Sequence, residues 1–171
     1  FFSPPGLNLY TSVLLRPGLA LADAPTLILG SGAAVADAIA ETVGDPARVE
    51  LKWPNDVLID GLKTSGILMA LGAEASRVAF VVLGIGVNLN VDRALFPDEF
   101  RDLATSLRSA TGRTIDRLAF ARRMYHALET ALDAHAAGGF AAVRPRFERH
   151  FRMQGRAVEV REMTGRDGAT I

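Results

Sequence analysis

The sequence predicts an α+β domain (α/β in the broad sense), with a mixed, largely antiparallel central β-sheet flanked by helices. Three observations predict it. Two-residue alternation of apolar side chains is concentrated before about residue 90. A tight-turn dipeptide, Asp60-Gly61, joins two of these stretches as a hairpin, which argues for antiparallel pairing and against a purely parallel sheet. Apolar residues at three-and-four spacing dominate the second half of the chain.

Taken in order, residues 7–15 alternate. Leu7, Leu9, Thr11, Val13 and Leu15 share one face and Asn8, Tyr10 and Ser12 the other, and Pro17-Gly18 ends the strand. Residues 25–43 read as a helix, with Asp23 as the expected N-cap, Pro25 in the first turn and Gly44 as the stop. Gly30-Ser31-Gly32 inside it lacks the third glycine of a dinucleotide loop, since Val35 stands there, and no strand–glycine–helix unit surrounds it. Small-residue helix packing is the expectation. Residues 49–53 form a short strand ending in a Pro54-Asn55-Asp56 turn, and Val57–Ile59 and Leu62–Leu71 form the hairpin. The continuous apolar run 78–83 predicts a strand buried on both faces. Helices are expected over about 97–110 and, from an Asp116 cap, to about Ala137, where Gly138-Gly139 stops the second. A further helical segment covers Phe140–Phe151, with a break or kink at Pro145, and Gly155 opens a new strand carrying Val158 and Val160.

Bulk properties exclude several classes. The chain has 171 residues, enough for one domain of ordinary size, and nearly half are apolar, enough for a substantial core. Formal net charge is zero, so no basic excess points to a nucleic-acid-binding surface. Without cysteine there is no disulfide, thiolate zinc site or cysteine nucleophile, which fits a cytoplasmic location. No stretch reads as a membrane span or a signal peptide. His126, His135 and His150 all fall in the helical half and read as helix-surface or core residues, and no Gly-x-Ser-x-Gly elbow is present. No metal ligand set is expected.

The informative residues are Lys52-Trp53-Pro54-Asn55-Asp56, Lys63-Thr64-Ser65-Gly66-Ile67-Leu68 and Gly84-Ile85-Gly86-Val87-Asn88-Leu89-Asn90. Lys52 falls on the face opposite Val49, Leu51 and Trp53, and a lysine beside an apolar sheet needs solvent, a partner or a ligand. Gly84 and Gly86 end the apolar strand, where missing side chains let another backbone or a flat ligand approach. Singly, each motif reads more simply as a solvated face, turn chemistry or a bulge.

Together and in this order, the three motifs resemble the catalytic-domain signature of biotin protein ligases, and Phe2-Ser3-Pro4 through Asn8-Leu9-Tyr10 resembles the segment that precedes it. The resemblance runs over essentially the whole chain. It implies the biotin–lipoate ligase fold, related to class II aminoacyl-tRNA synthetases. It also implies a two-step reaction in which biotin and ATP give biotinyl-5′-AMP, and biotin then passes to a lysine of a biotin carboxyl carrier protein. By the same resemblance, Lys63 contacts the biotin carboxylate and the acyl-phosphate, Lys52 lies near the phosphates, and Asn55 and Asp56 lie by the nucleotide. Asp56 is further expected to help hold Mg2+ or to orient Lys63. Gly66 lies against the biotin pocket, Gly84, Gly86 and Asn88 lie beside biotin and adenine, and Phe1 takes the place of an adenine-packing tryptophan. Trp53 is expected to pack under the site or in the core.

The family's arginine- and glycine-rich loop, which would precede Phe1, is not in the sequence, so the chain reads as an internal fragment. Residues 1–154 are expected to form the catalytic domain, lacking its N-terminal part, and 155–171 to open a truncated SH3-like domain. A lipoate or octanoate ligase of the same fold is the alternative enzyme; Trp53-Pro54 argues against it. A biotin-sensing regulatory module is the alternative of another class, with DNA a partner only if a helix-turn-helix lies upstream. A homodimer formed through strand edges near residues 78–90 is a further expectation.

Overall fold

The computed structural model describes residues 4–157. Five strands, β1 (Leu9–Leu15), β2 (Val49–Lys52), β3 (Asp56–Ile59), β4 (Leu62–Glu74) and β5 (Arg77–Val87), form one sheet in the order β1-β5-β4-β3-β2. Every pairing within it is antiparallel, as the hairpin required. Asp60 and Gly61 both have positive φ, 51° and 79°, the backbone of a two-residue hairpin turn. Arg48 holds that turn with a paired hydrogen bond to the Asp60 carboxylate, as short as 2.6 Å.

The long helices α1 (Pro25–Val43) and α4 (Arg117–His150) cover one face of the sheet. Val49, Leu51, Val57, Ile67 and Ile85 point into that layer and meet Val35, Ile39, Phe120 and Met124, all buried. α1 lies between sheet and α4, so it is buried nearly all round from Gly30 to Ala36. Its glycines permit that closeness. A Cβ on Gly30 would lie 3.4 Å from Val143 of α4, and one on Gly32 3.4 Å from Leu51 of β2. The Gly-Ser-Gly run is therefore helix packing, as expected. The membrane reading of the sequence is corrected in one respect, because one stretch does pass on length and composition. Leu21–Val43 is long and apolar enough to cross a bilayer, its 18-residue window reaching a mean hydropathy of 1.3, yet 67% of that window is buried within the fold.

Several expectations are corrected. Asp23 does not cap α1, because residues 21–23 form a 3-10 turn that runs into the helix, and Ala24 at the cap position makes no side-chain bond. β5 is not buried on both faces and does not end at its glycines. Val81, Leu83, Ile85 and Val87 face the core, while Phe80, Val82, Gly84 and Gly86 face the side that no helix covers among the described residues. The single helix expected over 97–110 is two short ones, α2 (Asp98–Arg101) and α3 (Leu107–Thr111). Ser106 interrupts them by capping α3, accepting a hydrogen bond from Ser109 N. The stop expected at Gly138-Gly139 is present, as non-helical backbone at Gly139 (φ 63°, ψ −159°), but the break expected at Pro145 is not, since the helix runs on through it. Trp53, after which the peptide bond to Pro54 is cis, packs neither under the site nor in the core; it is 58% exposed. Over Val81–Val87 β5 has no free edge for strand-edge dimerisation, since it pairs with β1 on one side and β4 on the other.

Two histidines are core residues. His135 shares a 2.7 Å hydrogen bond with Thr26, and His150 one of 2.7 Å with Asp37. Asp37 also accepts from Arg146 Nε at 2.5 Å, which ties α4 to α1. Phe1 and Val158–Ile171 lie outside the described residues, so the expected adenine-packing role of Phe1 and the expected strand at Val158 and Val160 are not addressed by the structure.

Candidate active site

The open face of the sheet carries the predicted residues, and the strand register is what gathers them. One row crosses all five strands: Tyr10 opposite Gly86, Gly86 opposite Gly66, Gly66 opposite Asp56, and Asp56 opposite Lys52. The next row holds Ser12, Gly84 and Leu68. Residues far apart in sequence thus share a patch two rows deep, with adjacent rows about 7 Å apart along the strands.

Lys63 joins the first row through an irregularity. Val57 pairs with Ser65 and Leu58 with Lys63, so Thr64 is one extra residue in β4. Lys63 therefore lies on the open face beside Gly66, and its Nζ is 2.6 Å from Asp56 Oδ1. The pair is partly open to solvent, with the lysine side chain 40% and the aspartate 20% exposed. Gly66 makes room for it. A Cβ there would lie 3.3 Å from Lys63 Cε, 3.4 Å from Nζ and 3.5 Å from Asp56 Oδ1. A side chain at Gly66 would thus press directly against the ion pair.

Two adjoining clefts share Asp56 and Lys63. The first, about 540 Å³, has Gly66, Gly84 and Gly86 in its floor and Tyr10, Ser12, Asn55 and Leu68 around it. The second, about 420 Å³, is lined by Lys52, Leu58, Asn88 and the apolar group Phe96, Phe100 and Leu103. Its outer wall is anchored on Lys63: the Lys63 N–H donates to Leu103 O, and the Lys63 carbonyl accepts from Thr105 N, both at 2.9 Å. A flat body over a glycine floor, an anion beside Lys63 and an apolar group in the second cleft are what this surface can hold.

The structure brings Lys52, Asn55, Asp56, Lys63, Gly66, Gly84 and Gly86 to these clefts. Asn88 reaches the second cleft but is only 4% exposed, and its amide is engaged, donating to Thr105 O and accepting from Asn8. The sequence reading missed Tyr10, Ser12 and Leu68 in the first cleft and Phe96, Phe100 and Leu103 in the second. Alternation placed Tyr10 and Ser12 on one face of β1, but only pairing with β5 shows that this face looks onto the glycines. Among the described residues, no group of three or more His, Asp or Glu side chains could hold a metal ion.

The Biotin/lipoate A/B protein ligase family model matches residues 1–88. The bifunctional ligase/repressor BirA of Bacillus subtilis is 36% identical over 163 residues, which is 95% of this chain and 50% of that protein. The biotin--[acetyl-CoA-carboxylase] ligase of Mycobacterium tuberculosis is 40% identical over 126 residues, 70% of this chain and 44% of that protein. The chain thus spans about half the length of the curated relatives it matches. The biotin protein ligase of Aquifex aeolicus, solved without ligand, superposes with a TM-score of 0.75 at 30% identity over 87% of this chain and 63% of that one. The same enzyme in complex with biotin and ATP gives 0.74. The superposed structures share this fold, and by family match and relatives the chain belongs to the biotin/lipoate A/B protein ligase family.

Proposed function

We propose that this chain forms the adenylating core of a biotin protein ligase. The observation that carries the reading is the Lys63–Asp56 pair seated on a glycine floor in a chain 36% identical to a bifunctional ligase/repressor. In the first step, a biotin carboxylate oxygen attacks the α-phosphorus of ATP. The bond to the β-phosphate breaks and pyrophosphate leaves, giving biotinyl-5′-AMP. In the second step, a neutral lysine amine of a biotin carboxyl carrier protein attacks the acyl carbon. An amide forms, AMP leaves with the electron pair, and the amine loses a proton.

The first step brings anions together. The Lys63 ammonium, a compact charge at the junction of the two clefts, holds the carboxylate and offsets charge as it gathers on phosphorus. Asp56 fixes that ammonium. Lys52, exposed in the second cleft and without an ion pair among the described residues, adds positive charge on the nucleotide side. Gly66, Gly84 and Gly86 let the biotin ring lie close to the sheet. Mg2+ fits as a substrate-borne ion. Asp56 is the carboxylate in the first cleft that could join it, and phosphate oxygens would supply its other ligands. When bound, it would neutralise phosphate charge. Residues 1–154 are read as this catalytic unit and 155 onward as the start of another domain.

The test is exchange of labelled pyrophosphate into ATP by the full-length protein. Exchange that requires biotin supports the reading. Exchange driven by lipoate or octanoate and not by biotin overturns it.

A further inference from the structure

We infer that Asn55 is a positioning residue that holds the Lys63–Asp56 pair, and that its amide does not bind the nucleotide as the family resemblance implies. The inference rests on the ligase reading. The β3–β4 ladder pairs Asp56 with Gly66, so the next pair outward is Asn55 with Ile67. In a regular antiparallel ladder, a hydrogen-bonded pair exchanges two backbone bonds. At this pair, one is regular: Ile67 N donates to the Asn55 carbonyl at 2.9 Å. The other comes from the side chain, with Asn55 Nδ2 donating to the Ile67 carbonyl at 2.8 Å. The amide thus stands in for a backbone N–H just where the chain leaves the sheet for the Trp53-Pro54 turn.

This extends the ladder by one pair beyond β3, which has only four residues. The extra pair lies directly beside Asp56 and Gly66, the two residues over which Lys63 lies. With both carbonyl and amide of Asn55 committed to Ile67, residue 56 cannot swing away from β4 without breaking two hydrogen bonds. Rotating the amide toward a phosphate would strand the Ile67 carbonyl. A strand end of four residues would otherwise fray, and the Asp56 carboxylate with it.

The two roles give different kinetics. A nucleotide ligand, when removed, raises KM for ATP. A residue that holds Lys63 in register lowers kcat with KM for ATP nearly unchanged, by about 10- to 100-fold for a supporting hydrogen bond. The experiment is pyrophosphate exchange by the full-length protein and its Asn55→Ala and Asn55→Asp variants, across ATP concentrations. The expected result is a kcat loss in that range for Asn55→Ala with KM for ATP within about twofold. Asn55→Asp should lose more, because a carboxylate would face the Ile67 carbonyl. A large rise in KM for ATP at unchanged kcat overturns the inference.

A second measurement needs no variant. In the labelled wild-type protein, the Asn55 side-chain amide protons should exchange slowly and keep their shifts when a non-hydrolysable ATP analogue is added. Loss of protection, or a large shift on addition, overturns the inference even if the variants fail to fold. A wild-type protein with no biotin-dependent exchange would instead count against the ligase reading, and the amide measurement would still decide the role of Asn55.

Discussion

Replacing Gly66 with alanine separates stability from catalysis at one atom. The added Cβ would lie 3.3 Å from Lys63 Cε and 3.4 Å from Nζ. Relaxed carbon contacts lie at about 3.5–4.0 Å, so the lysine must shift by roughly 0.3–0.5 Å. It can do so cheaply, because its side chain is 40% exposed and flexible. Gly66 lies within β4 and is not among the positive-φ glycines, so alanine relieves the entropic cost of glycine there, about 0.5–1 kcal/mol. The two effects nearly cancel, and the thermal midpoint should stay within about 3 °C of wild type. Catalysis is less forgiving. A misplacement of about 1 Å costs on the order of 10²-fold, so about half that should cost roughly 10-fold in biotin-dependent pyrophosphate exchange. The assay is exchange rate and thermal unfolding on the same preparations. Wild-type exchange by Gly66→Ala, or a loss explained by collapse of the fold, would refute the claim that this glycine seats the ion pair.

Other consequences concern the scaffold. Ser31 is fully buried in α1 with a hydroxyl that has no hydrogen-bond partner, so Ser31→Ala should raise stability by about 0.5–1.5 kcal/mol, read as a higher denaturant midpoint. Gly139 breaks α4 at φ 63°, ψ −159°, a region essentially closed to other residues, so Gly139→Ala should destabilise by about 1–3 kcal/mol in the same measurement. Burial opposes ionisation of Asp37, but the His150 hydrogen bond and the Arg146 charge outweigh it and hold the carboxyl below the usual carboxylate range. A lowered folded-state pKa contributes stability that is present above the unfolded value, about 3.9, and is lost as pH falls through the folded value. Asp37→Asn should therefore cost about 1–3 kcal/mol at pH 7, and urea unfolding should show the gap to wild type narrowing toward pH 3.

Local periodicity carried much of this fold, and long-range register did not. Alternation in Leu9–Leu15 and the Asp60-Gly61 turn were legible because each is decided within a few residues. The uncovered face of β5 was not, because Val82 and Phe80 are as apolar as Val81 and Leu83, and composition alone cannot tell a covered face from an open one. Between α2 and α3, beside the Ser106 cap, Leu103 and Thr105 pair with the backbone of Lys63, some forty residues earlier, a contact that local sequence does not reveal. At the site, Lys63, Asp56 and Gly66 were legible as motif residues, but their mutual geometry follows from the extra residue at Thr64 and the Asp56–Gly66 pairing. Ser12 carries no motif, and Tyr10 was legible only as the end of the segment preceding the motifs, with no site role attached. They enter the first cleft only through their register with Gly86 and Gly84.

The central claim is that the Lys63 ammonium, held by Asp56 on the Gly66 floor, supports adenylation of biotin. The most direct test is biotin-dependent exchange of pyrophosphate into ATP by the full-length protein and its Lys63→Ala variant, with unfolding midpoints measured alongside. Exchange that requires biotin and disappears in Lys63→Ala, at a thermal midpoint close to wild type, is the predicted result. Undiminished exchange in Lys63→Ala, or a folded wild-type protein that shows none with biotin, would contradict it.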